Sequence, residues 1–181
     1  LGTAGKISDK DLDISAIKKS EILFLEGYLW DEGELKKAFE KAIENSNKVS
    51  MSLSDLFCVE RHKPHFLELV RNKLDITFAN EQEIMALINT KNFNDVINFA
   101  KDTKKLIVVT RGKKGSLVIN NTEVIECAAK ENLKIKDLTG AGDLFAGVFL
   151  HEYANGKSLK ESLETGTEMS SKVIQIIGAR L

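Results

Sequence analysis

Short uninterrupted apolar runs alternate with helical patterns along this chain, and the alternation limits the folds that the chain can adopt. Residues 22–25 and 106–109 are unbroken apolar runs, which are typical of strands buried on both faces of a sheet. Between such runs, apolar residues recur at helical spacing, as in Leu35, Ala38 and Phe39. Strands that alternate with helices indicate βαβ units. We therefore predict an α/β fold with three layers, α/β/α, around a mostly parallel sheet.

The approximate position of each element follows from its own pattern. The predicted strands are residues 22–25, 49–53, 74–79 and 106–109, together with a hairpin at 115–119 and 122–127. The predicted helices are residues 34–45, 59–70, 81–88, 92–102 and 143–153. The last of these is apolar on most sides, so we expect it to be buried. A final helix has an apolar face that consists of Leu159, Leu163, Gly166, Val173 and Ile177.

The organisation of the chain is simple. Pro64 is the only proline, and no linker, repeat or low-complexity tract divides the sequence. We therefore expect residues 1–181 to form a single α/β domain. Because the first residue is Leu1 rather than Met, we also expect the chain to be one part of a larger protein.

The composition argues against several kinds of partner. The net charge of −1 creates no field that would attract nucleic acid or an anionic membrane. No apolar run approaches the about 18 residues of a membrane span, and we expect no signal peptide. Cys58 and Cys127 match no metal-binding spacing, and two reduced thiols fit a cytoplasmic protein. We interpret His62 and His65, around the basic run 61–63, as a solvated helix start rather than a metal site.

The segment with the clearest chemistry is 137–143, Asp-Leu-Thr-Gly-Ala-Gly-Asp. Gly140 and Gly142 have no Cβ atoms, so backbone N–H groups can approach a ligand closely there. A long helix is predicted to begin immediately afterward. Its first N–H groups have no intrahelical partner and lie at the positive end of the helix dipole. Together these features predict an anion site, and phosphate is the common biological anion of this kind.

Asp143 adds a negative charge where a phosphate is expected. The carboxylate is explained if it accepts a proton from a hydroxyl group that attacks the phosphate, as phosphoryl transfer requires. The alternative is an ordinary capped helix, in which a first-turn aspartate and loop glycines are common. A dinucleotide fingerprint is excluded because Phe145 occupies the position of its third glycine. The Walker pattern is also missing, although residues 112–116 have a similar composition.

Three segments, in this order, carry a resemblance to a known family. Asn80-Glu81-Gln82-Glu83 resembles an N-x-x-E motif, residues 109–115 resemble a T-x-G-x-x-G segment, and residues 137–147 resemble a C-terminal signature. All three motifs are typical of the ribokinase-like kinases, also called phosphofructokinase B type carbohydrate kinases. The resemblance covers positions 75–180. It implies an ATP-dependent kinase that transfers phosphate to an alcohol group of a sugar or nucleoside.

The resemblance assigns the transfer step to the segment 137–143. It implies that Asp143 is the general base that deprotonates the acceptor hydroxyl. It further implies that the backbone N–H groups of Gly140, Ala141 and Gly142 form the anion hole for the transferred phosphoryl group.

The same resemblance implies how ATP and Mg²⁺ are bound. Thr110 and Gly112 resemble the residues that line the ATP phosphates, and Arg111 is left open between a phosphate contact and solvated surface. Asn80 and Glu83 resemble the pair that organises Mg²⁺ and its water shell. In the alternative interpretation, Asn80 caps a helix and Glu83 completes a capping box.

A monovalent cation is a further expectation from the resemblance. Asp137 and Thr139 occupy positions that help to bind such a cation in some members of the family. Leu138 stands where the family often has threonine, so a dependence on this cation stays open. Lid strands often pair between subunits in this family, which makes a homodimer an open expectation for the full protein.

The acceptor site is only partly present in these residues. In the family, the acceptor is held mainly by an N-terminal half and a small β-lid, which we expect to be missing here. Glu26, in the strand-end segment 24–31, is a candidate to accept hydrogen bonds from a ribose hydroxyl. That segment and residues 178–180 look similar to bacterial adenosine-kinase-like members. The alternative for this segment is a simple strand-end turn at Gly27-Tyr28 with a packed aromatic. The alternatives for the function are a vitamin or hydroxymethylpyrimidine-type kinase of the same fold and a non-catalytic nucleotide-binding fragment.

Overall fold

The structure of the protein is a computed structural model that describes residues 5–30 and 33–181. Residues 1–4, where the chain opens, and Asp31, in the candidate acceptor segment, lie outside the described residues. One sheet runs through the described chain, and its strands follow one another in chain order. The strands are β1 (Leu23–Glu26), β2 (Val49–Ser52), β3 (Ile76–Asn80), β4 (Leu106–Thr110), β5 (Ser116–Ile119) and β6 (Val124–Cys127).

Helices cover both faces of this sheet. The helices are α1 (Ile14–Lys19), α2 (Glu34–Glu44), α3 (Leu56–Asn72), α4 (Glu81–Leu87), α5 (Phe93–Thr103), α6 (Ala141–Ala154) and α7 (Leu159–Val173). Apolar residues of α2 to α5 form one core with one face of the sheet, and α6 and α7 form a second core with the other face. β1 to β4 are parallel, and β5 and β6 are antiparallel. The predicted three-layer α/β/α fold is therefore confirmed.

Burial on two faces explains the uninterrupted apolar run in β4. Ile107 and Val109 belong to the core under α2 to α5, whereas Val108 belongs to the core under α6 and α7. All three side chains are fully buried. Because successive strand residues point to opposite faces, a strand covered on both sides can be apolar at every position.

Helix α3 begins earlier than predicted and is kinked. The side chain of Asp55 accepts a hydrogen bond from the N–H of Cys58 at 2.7 Å, so the helix begins at Leu56 rather than near residue 59. His62 therefore lies inside the helix and not at its start. Its φ and ψ of −113° and 16° are not helical. Pro64 follows two residues later, and a proline inside a helix removes an N–H donor and crowds the preceding turn.

Two expectations for the C-terminal helices are wrong. Helix α6 is buried on one face, through Phe145, Ala146 and Phe149, which pack in the core with the sheet and α7. Residues of the opposite face are exposed, namely Asp143, Gly147, His151 and Ala154. Ile177 does not extend the apolar face of the last helix, because α7 ends at Val173 and Ile177 is 86% exposed. None of the helices in residues 5–30 and 33–181 is long and apolar enough to span a membrane.

The carboxyl ends of the parallel strands lie along one edge of the sheet. Glu26 at the end of β1 is in register with Ser52 at the end of β2, and Asn80 of β3 is in register with Thr110 of β4. Ligands of open α/β sheets bind outside the carboxyl ends of the strands. The fold therefore brings several of the sequence-predicted site residues to the edge where a ligand is expected.

Candidate active site

The segment before α6 is tied to the C-terminal residues by Asp137. Its Oδ1 atom accepts from the N–H of Thr139 at 2.9 Å, and its Oδ2 atom accepts from the N–H of Gly178 at 3.0 Å. Hydrogen bonds from Thr139, with a further contribution from Gly178, lower the pKa of Asp137 and keep it charged. Gly140 passes so close to Ala179 that a Cβ atom on Gly140 would lie 2.5 Å from the Ala179 Cβ.

Helix α6 begins with open backbone donors. Gly140 is its N-cap, with φ of 74°, a conformation in the left-handed region that favours glycine. Within residues 5–30 and 33–181, the N–H groups of Gly140, Gly142 and Asp143 donate to no protein acceptor. The N–H of Ala141 differs from the expectation, because it donates to the carbonyl of Leu138 at 3.2 Å. The structure therefore offers donors for an anion at the positive end of the helix, and Ala141 is the least available of the three predicted.

Gly142 faces open space. A Cβ atom at this position would have no described atom within 4 Å, apart from its chain neighbours and its own helix backbone. Glycine in an exposed helical position costs about 1 kcal/mol relative to alanine, so packing does not explain its presence. The position instead leaves room for a ligand to approach the backbone at the start of α6.

The charges of two carboxylates from other elements act on Glu26 at the carboxyl ends of the strands. Burial raises the pKa of Glu26, the hydrogen bond from Ser54 opposes the shift, and the charges of Asp143 and Glu83 raise the pKa further. Burial also raises the pKa of Tyr28, as do the charges of Asp55, Cys58 and Asp143, in that order. The structure therefore brings the start of α6 close to the end of β1, as a base facing an acceptor site requires.

Asn80 and Glu83 form the capping box that was the alternative interpretation of this motif. Glu83 Oε2 accepts from the N–H of Asn80 at 2.9 Å, and Asn80 Oδ1 accepts from the N–H of Glu83 at 2.9 Å. Only 6% of Glu83 is exposed. Burial, and then the charge of Asp55, raise the pKa of Glu83, while the N–H of Asn80 opposes the shift.

The capping box still leaves Glu83 able to act near a cation. Each carboxylate oxygen has further lone pairs beyond the bond that it accepts from Asn80. No group of three or more His, Cys, Asp or Glu in the described residues is arranged to hold a metal ion by side chains alone. A single carboxylate with lone pairs to spare, as in Glu83, fits an ion such as Mg²⁺, which keeps several waters and binds through one or two carboxylates and substrate phosphates.

The turn after β4 is shaped by two glycines. The N–H of Arg111 donates to the carbonyl of Gly115 at 2.7 Å and closes the turn. Gly112 has φ of 55° and faces open space, whereas a Cβ atom at Gly115 would lie 2.0 Å from the carbonyl oxygen of Cys127. The backbone at Gly112 is therefore free to approach a phosphate beside Thr110, and Gly115 holds the turn against β6.

The side chain of Arg111 packs against Glu81 and Phe93 and is not a solvated surface group. Its Nε atom lies 3.1 Å from a carboxylate oxygen of Glu81, and its guanidinium lies 3.9 Å from the ring centroid of Phe93. Lys114 contacts the same carboxylate at 3.0 Å. The hydrogen bond from Arg111 is the first of the causes that lower the pKa of Glu81. The side chain of Arg111 is thus already paired within the protein.

Two residues near the end of β1, Tyr28 and Ser54, differ from what the sequence predicted. The turn at Gly27-Tyr28 is confirmed as a short 3-10 turn, but Tyr28 is 42% exposed and is therefore not a packed aromatic. Ser54 donates a hydrogen bond to Glu26 at 3.0 Å and was not singled out from sequence. A serine two residues after a strand gives no signal of its own, because only the pairing of β1 with β2 brings it to Glu26.

The pH dependence of stability offers a test of the environment of Glu26. We expect Glu26→Gln to raise the free energy of unfolding near pH 8, because the amide removes a partly buried charge near Asp143. The folded-state pKa of Glu26 is raised, so the stability that its proton confers is present at acidic pH and is lost as pH rises through the folded pKa. The increase in the free energy of unfolding that Glu26→Gln causes should therefore disappear below about pH 4.3, the ordinary pKa of glutamate.

Urea unfolding at several pH values measures this gain. Glu60→Gln, on an exposed position of α3, is the matched control for loss of a carboxylate. Equal stability of the Glu26→Gln variant and the wild type at every pH would contradict the assigned environment.

Comparisons with known proteins agree with the geometry. Residues 1–181 match the family model described as pfkB family carbohydrate kinase. An adenosine kinase from Sinorhizobium meliloti is 36% identical, with a TM-score of 0.93, and the match covers 97% of this chain and 55% of that one. A probable sugar kinase from Rhizobium etli is 35% identical, with a TM-score of 0.90 and the same coverage.

Curated relatives also match over part of their own length. A ribokinase from Dictyostelium discoideum is 28% identical over an alignment of 193 positions, and the match covers 94% of this chain and 59% of the relative. A cytidine kinase from Thermococcus kodakarensis is 33% identical over an alignment of 112 positions, and the match covers 60% of this chain and 40% of the relative. The chain thus spans about half the length of the curated relatives that it matches. The family match over the whole sequence and the shared fold show that this chain belongs to the pfkB family of carbohydrate kinases.

Proposed function

We propose that the complete protein is an ATP-dependent phosphotransferase that moves the γ-phosphoryl group to an alcohol group of a sugar or nucleoside. The observation that carries the proposal is the start of α6, where open N–H groups lie beside Asp143 and within electrostatic range of Glu26. Relatives named cytidine kinase, ribokinase and adenosine kinase support the acceptor class. Within such a protein, residues 1–181 would be the single α/β domain that binds ATP.

The residues divide the transfer step between them. The N–H groups of Gly140 and Gly142, with a smaller part for Ala141, stabilise the negative charge on the transferred phosphoryl group. Asp143 accepts the proton of the acceptor hydroxyl as the oxygen forms its bond to phosphorus. The bond between phosphorus and the bridging oxygen of ATP breaks, and ADP leaves with that oxygen.

Other residues hold the donor and its ions. Thr110 and Gly112 would line the ATP phosphates at the end of β4. Mg²⁺, bound with ATP, supplies positive charge that offsets the charge of the phosphates. Asn80 and Glu83 would hold waters of its hydration shell, which suits a buried carboxylate with lone pairs to spare.

The proposal includes a monovalent cation site at Asp137 and Thr139. Asp137 would contribute a carboxylate that its hydrogen bonds keep ionised, and Thr139 would lie beside it. Leu138 is 65% exposed and offers no side-chain oxygen in the position where the family often has threonine. Initial rates in potassium, sodium and tetramethylammonium salts would show whether the enzyme depends on such an ion.

A panel of acceptors tests the proposal on the complete gene product. We expect ADP release with a nucleoside or a free sugar, and none with hydroxymethylpyrimidine or related vitamin alcohols. Release with the pyrimidine alcohols alone would favour a vitamin-type kinase. ATP binding without transfer to any acceptor would favour a non-catalytic module.

We also propose that the complete protein is a cytoplasmic homodimer. The elution volume of the same preparation in size-exclusion chromatography tests the oligomeric state, and cell fractionation tests the location.

A further inference from the structure

Ser54 has an unusual backbone conformation at the edge where the candidate residues meet. Its φ angle is 72°, in the left-handed region that is unfavourable for residues with a Cβ atom. Glycine would adopt this conformation without strain. Strained positions of this kind cluster at functional sites and persist where surrounding contacts hold them. The contacts that hold Ser54 in this conformation therefore indicate its role.

The hydroxyl group of Ser54 connects the ends of two strands. It donates to Oε2 of Glu26 at 3.0 Å and accepts from the N–H of Tyr28 at 3.3 Å. The hydroxyl group of Tyr28 donates to the carbonyl of Ser54 at 3.4 Å. The N–H of Ser54 donates to the hydroxyl of Ser52 at 3.2 Å. These bonds fix both the backbone of Ser54 and the carboxylate that it contacts.

Gly27 brings the same two segments together independently. A Cβ atom at Gly27 would lie 2.9 Å from the carbonyl oxygen of Leu53, closer than such atoms approach in proteins. Only glycine therefore lets the end of β1 pass this close to the end of β2. The Glu26 carboxylate is consequently held by Ser54 while it lies within electrostatic range of Asp143.

We propose that Ser54 is a positioning residue, which orients the Glu26 carboxylate toward a second hydroxyl group of the acceptor, distinct from the hydroxyl that Asp143 deprotonates. The acceptor class that fits this arrangement has at least two hydroxyl groups, because one binds Glu26 while the other is phosphorylated. The role at the acceptor rests on the proposed function, whereas the contact between Ser54 and Glu26 does not depend on it.

The test is Ser54→Gly in the complete gene product. Glycine keeps the backbone conformation and removes the hydroxymethyl side chain, so the protein should fold. We expect the KM for the accepted polyol to rise about 10-fold or more, the loss typical of a hydrogen bond to a charged group, while the KM for ATP stays unchanged. With a deoxy acceptor that lacks the second hydroxyl, the variant and the wild type should have similar KM values.

The matched control is Lys104→Gly. Lys104 has φ of 57° at the end of α5, so glycine relieves similar strain away from the site. This variant should match the wild type in both KM values. An unchanged polyol KM in Ser54→Gly, or an equal loss with the deoxy acceptor, would overturn the positioning role.

A second readout does not require activity. The pKa of the Glu26 carboxyl group can be measured by carbon-13 titration, with the signal assigned through Glu26→Gln. In the wild type, the hydrogen bond from Ser54 stabilises the charged carboxylate and lowers this pKa. Ser54→Gly removes that bond, so the pKa of Glu26 should be higher in the variant. An unchanged pKa would overturn the contact on which the proposal stands. Failure of the proposed function would look different, because the wild type would then transfer phosphate to no acceptor while the titration still responded to Ser54→Gly.

Discussion

Asp143→Asn is expected to lower the turnover of the complete kinase by about 10²–10⁴-fold, because the amide cannot accept the proton of the acceptor hydroxyl. The fold should persist, since Asp143 is exposed at the start of α6 and its interaction with the helix dipole is worth at most about 1 kcal/mol. Steady-state rates of ADP release measure the loss, and urea unfolding measures the stability. The KM for ATP should change much less than turnover, because the donor is held by other groups.

Two comparisons separate a missing base from general damage. Asp102→Asn removes an exposed carboxylate from α5, away from the site, and should leave turnover unchanged. In Asp143→Asn itself, the pKa of Glu26 should fall, because the charge of Asp143 is one of the causes that raise it. Near-normal turnover in Asp143→Asn, with the pKa of Glu26 lowered, would show that the residue lies in the site but is not the base.

Gly115→Ala is expected to cause the largest loss of stability, about 2–5 kcal/mol. Two effects add. Glycine has φ of 91° here, and a left-handed conformation costs other residues about 1–2 kcal/mol. The new Cβ atom would also lie 2.0 Å from the carbonyl oxygen of Cys127, so β6 must move, and overpacking of this kind costs about 1–3 kcal/mol. Urea unfolding of the two proteins side by side measures the difference.

Gly112→Ala is the matched control for the clash. Gly112 lies in the same turn with φ of 55°, but its Cβ atom would face open space. Alanine should therefore cost only the backbone term, about 1–2 kcal/mol. Because Gly112 is proposed to line the ATP phosphates, this variant should also raise the KM for ATP. A stability loss in Gly112→Ala as large as that in Gly115→Ala would mean that the contact with Cys127 is not what makes Gly115 necessary.

Features that depend on near neighbours in the chain could be predicted from the sequence. The run at 106–109 became β4 because burial on both faces requires apolar side chains at successive positions. The capping box of Asn80 and Glu83 could be proposed from the sequence because its hydrogen bonds join residues only three positions apart. The open N–H groups before α6 could be predicted for the same reason, since they are a property of any helix start.

Predictions that required knowledge of neighbouring surfaces were less successful. The apolar composition of α6 suggested burial on most sides, but composition does not say which surfaces are available to cover a helix. Ile177 fits the periodic apolar face of α7 by spacing, yet the helix ends first, and the chain turns so that Gly178 donates to Asp137. A period in the sequence marks residues that share a face only while the helix lasts.

The fold class, the order of the elements and the local chemistry of the segment 137–143 could be derived from residue patterns alone. Only the folded chain brings Asp143 within electrostatic range of Glu26, gives Ser54 the left-handed conformation in which it holds Glu26, and places Gly115 against Cys127. The difference lies in the range of the interactions. Periodicity and capping reflect contacts within a few residues, whereas the meeting of loops at one edge depends on strand order and parallel pairing across the whole sheet.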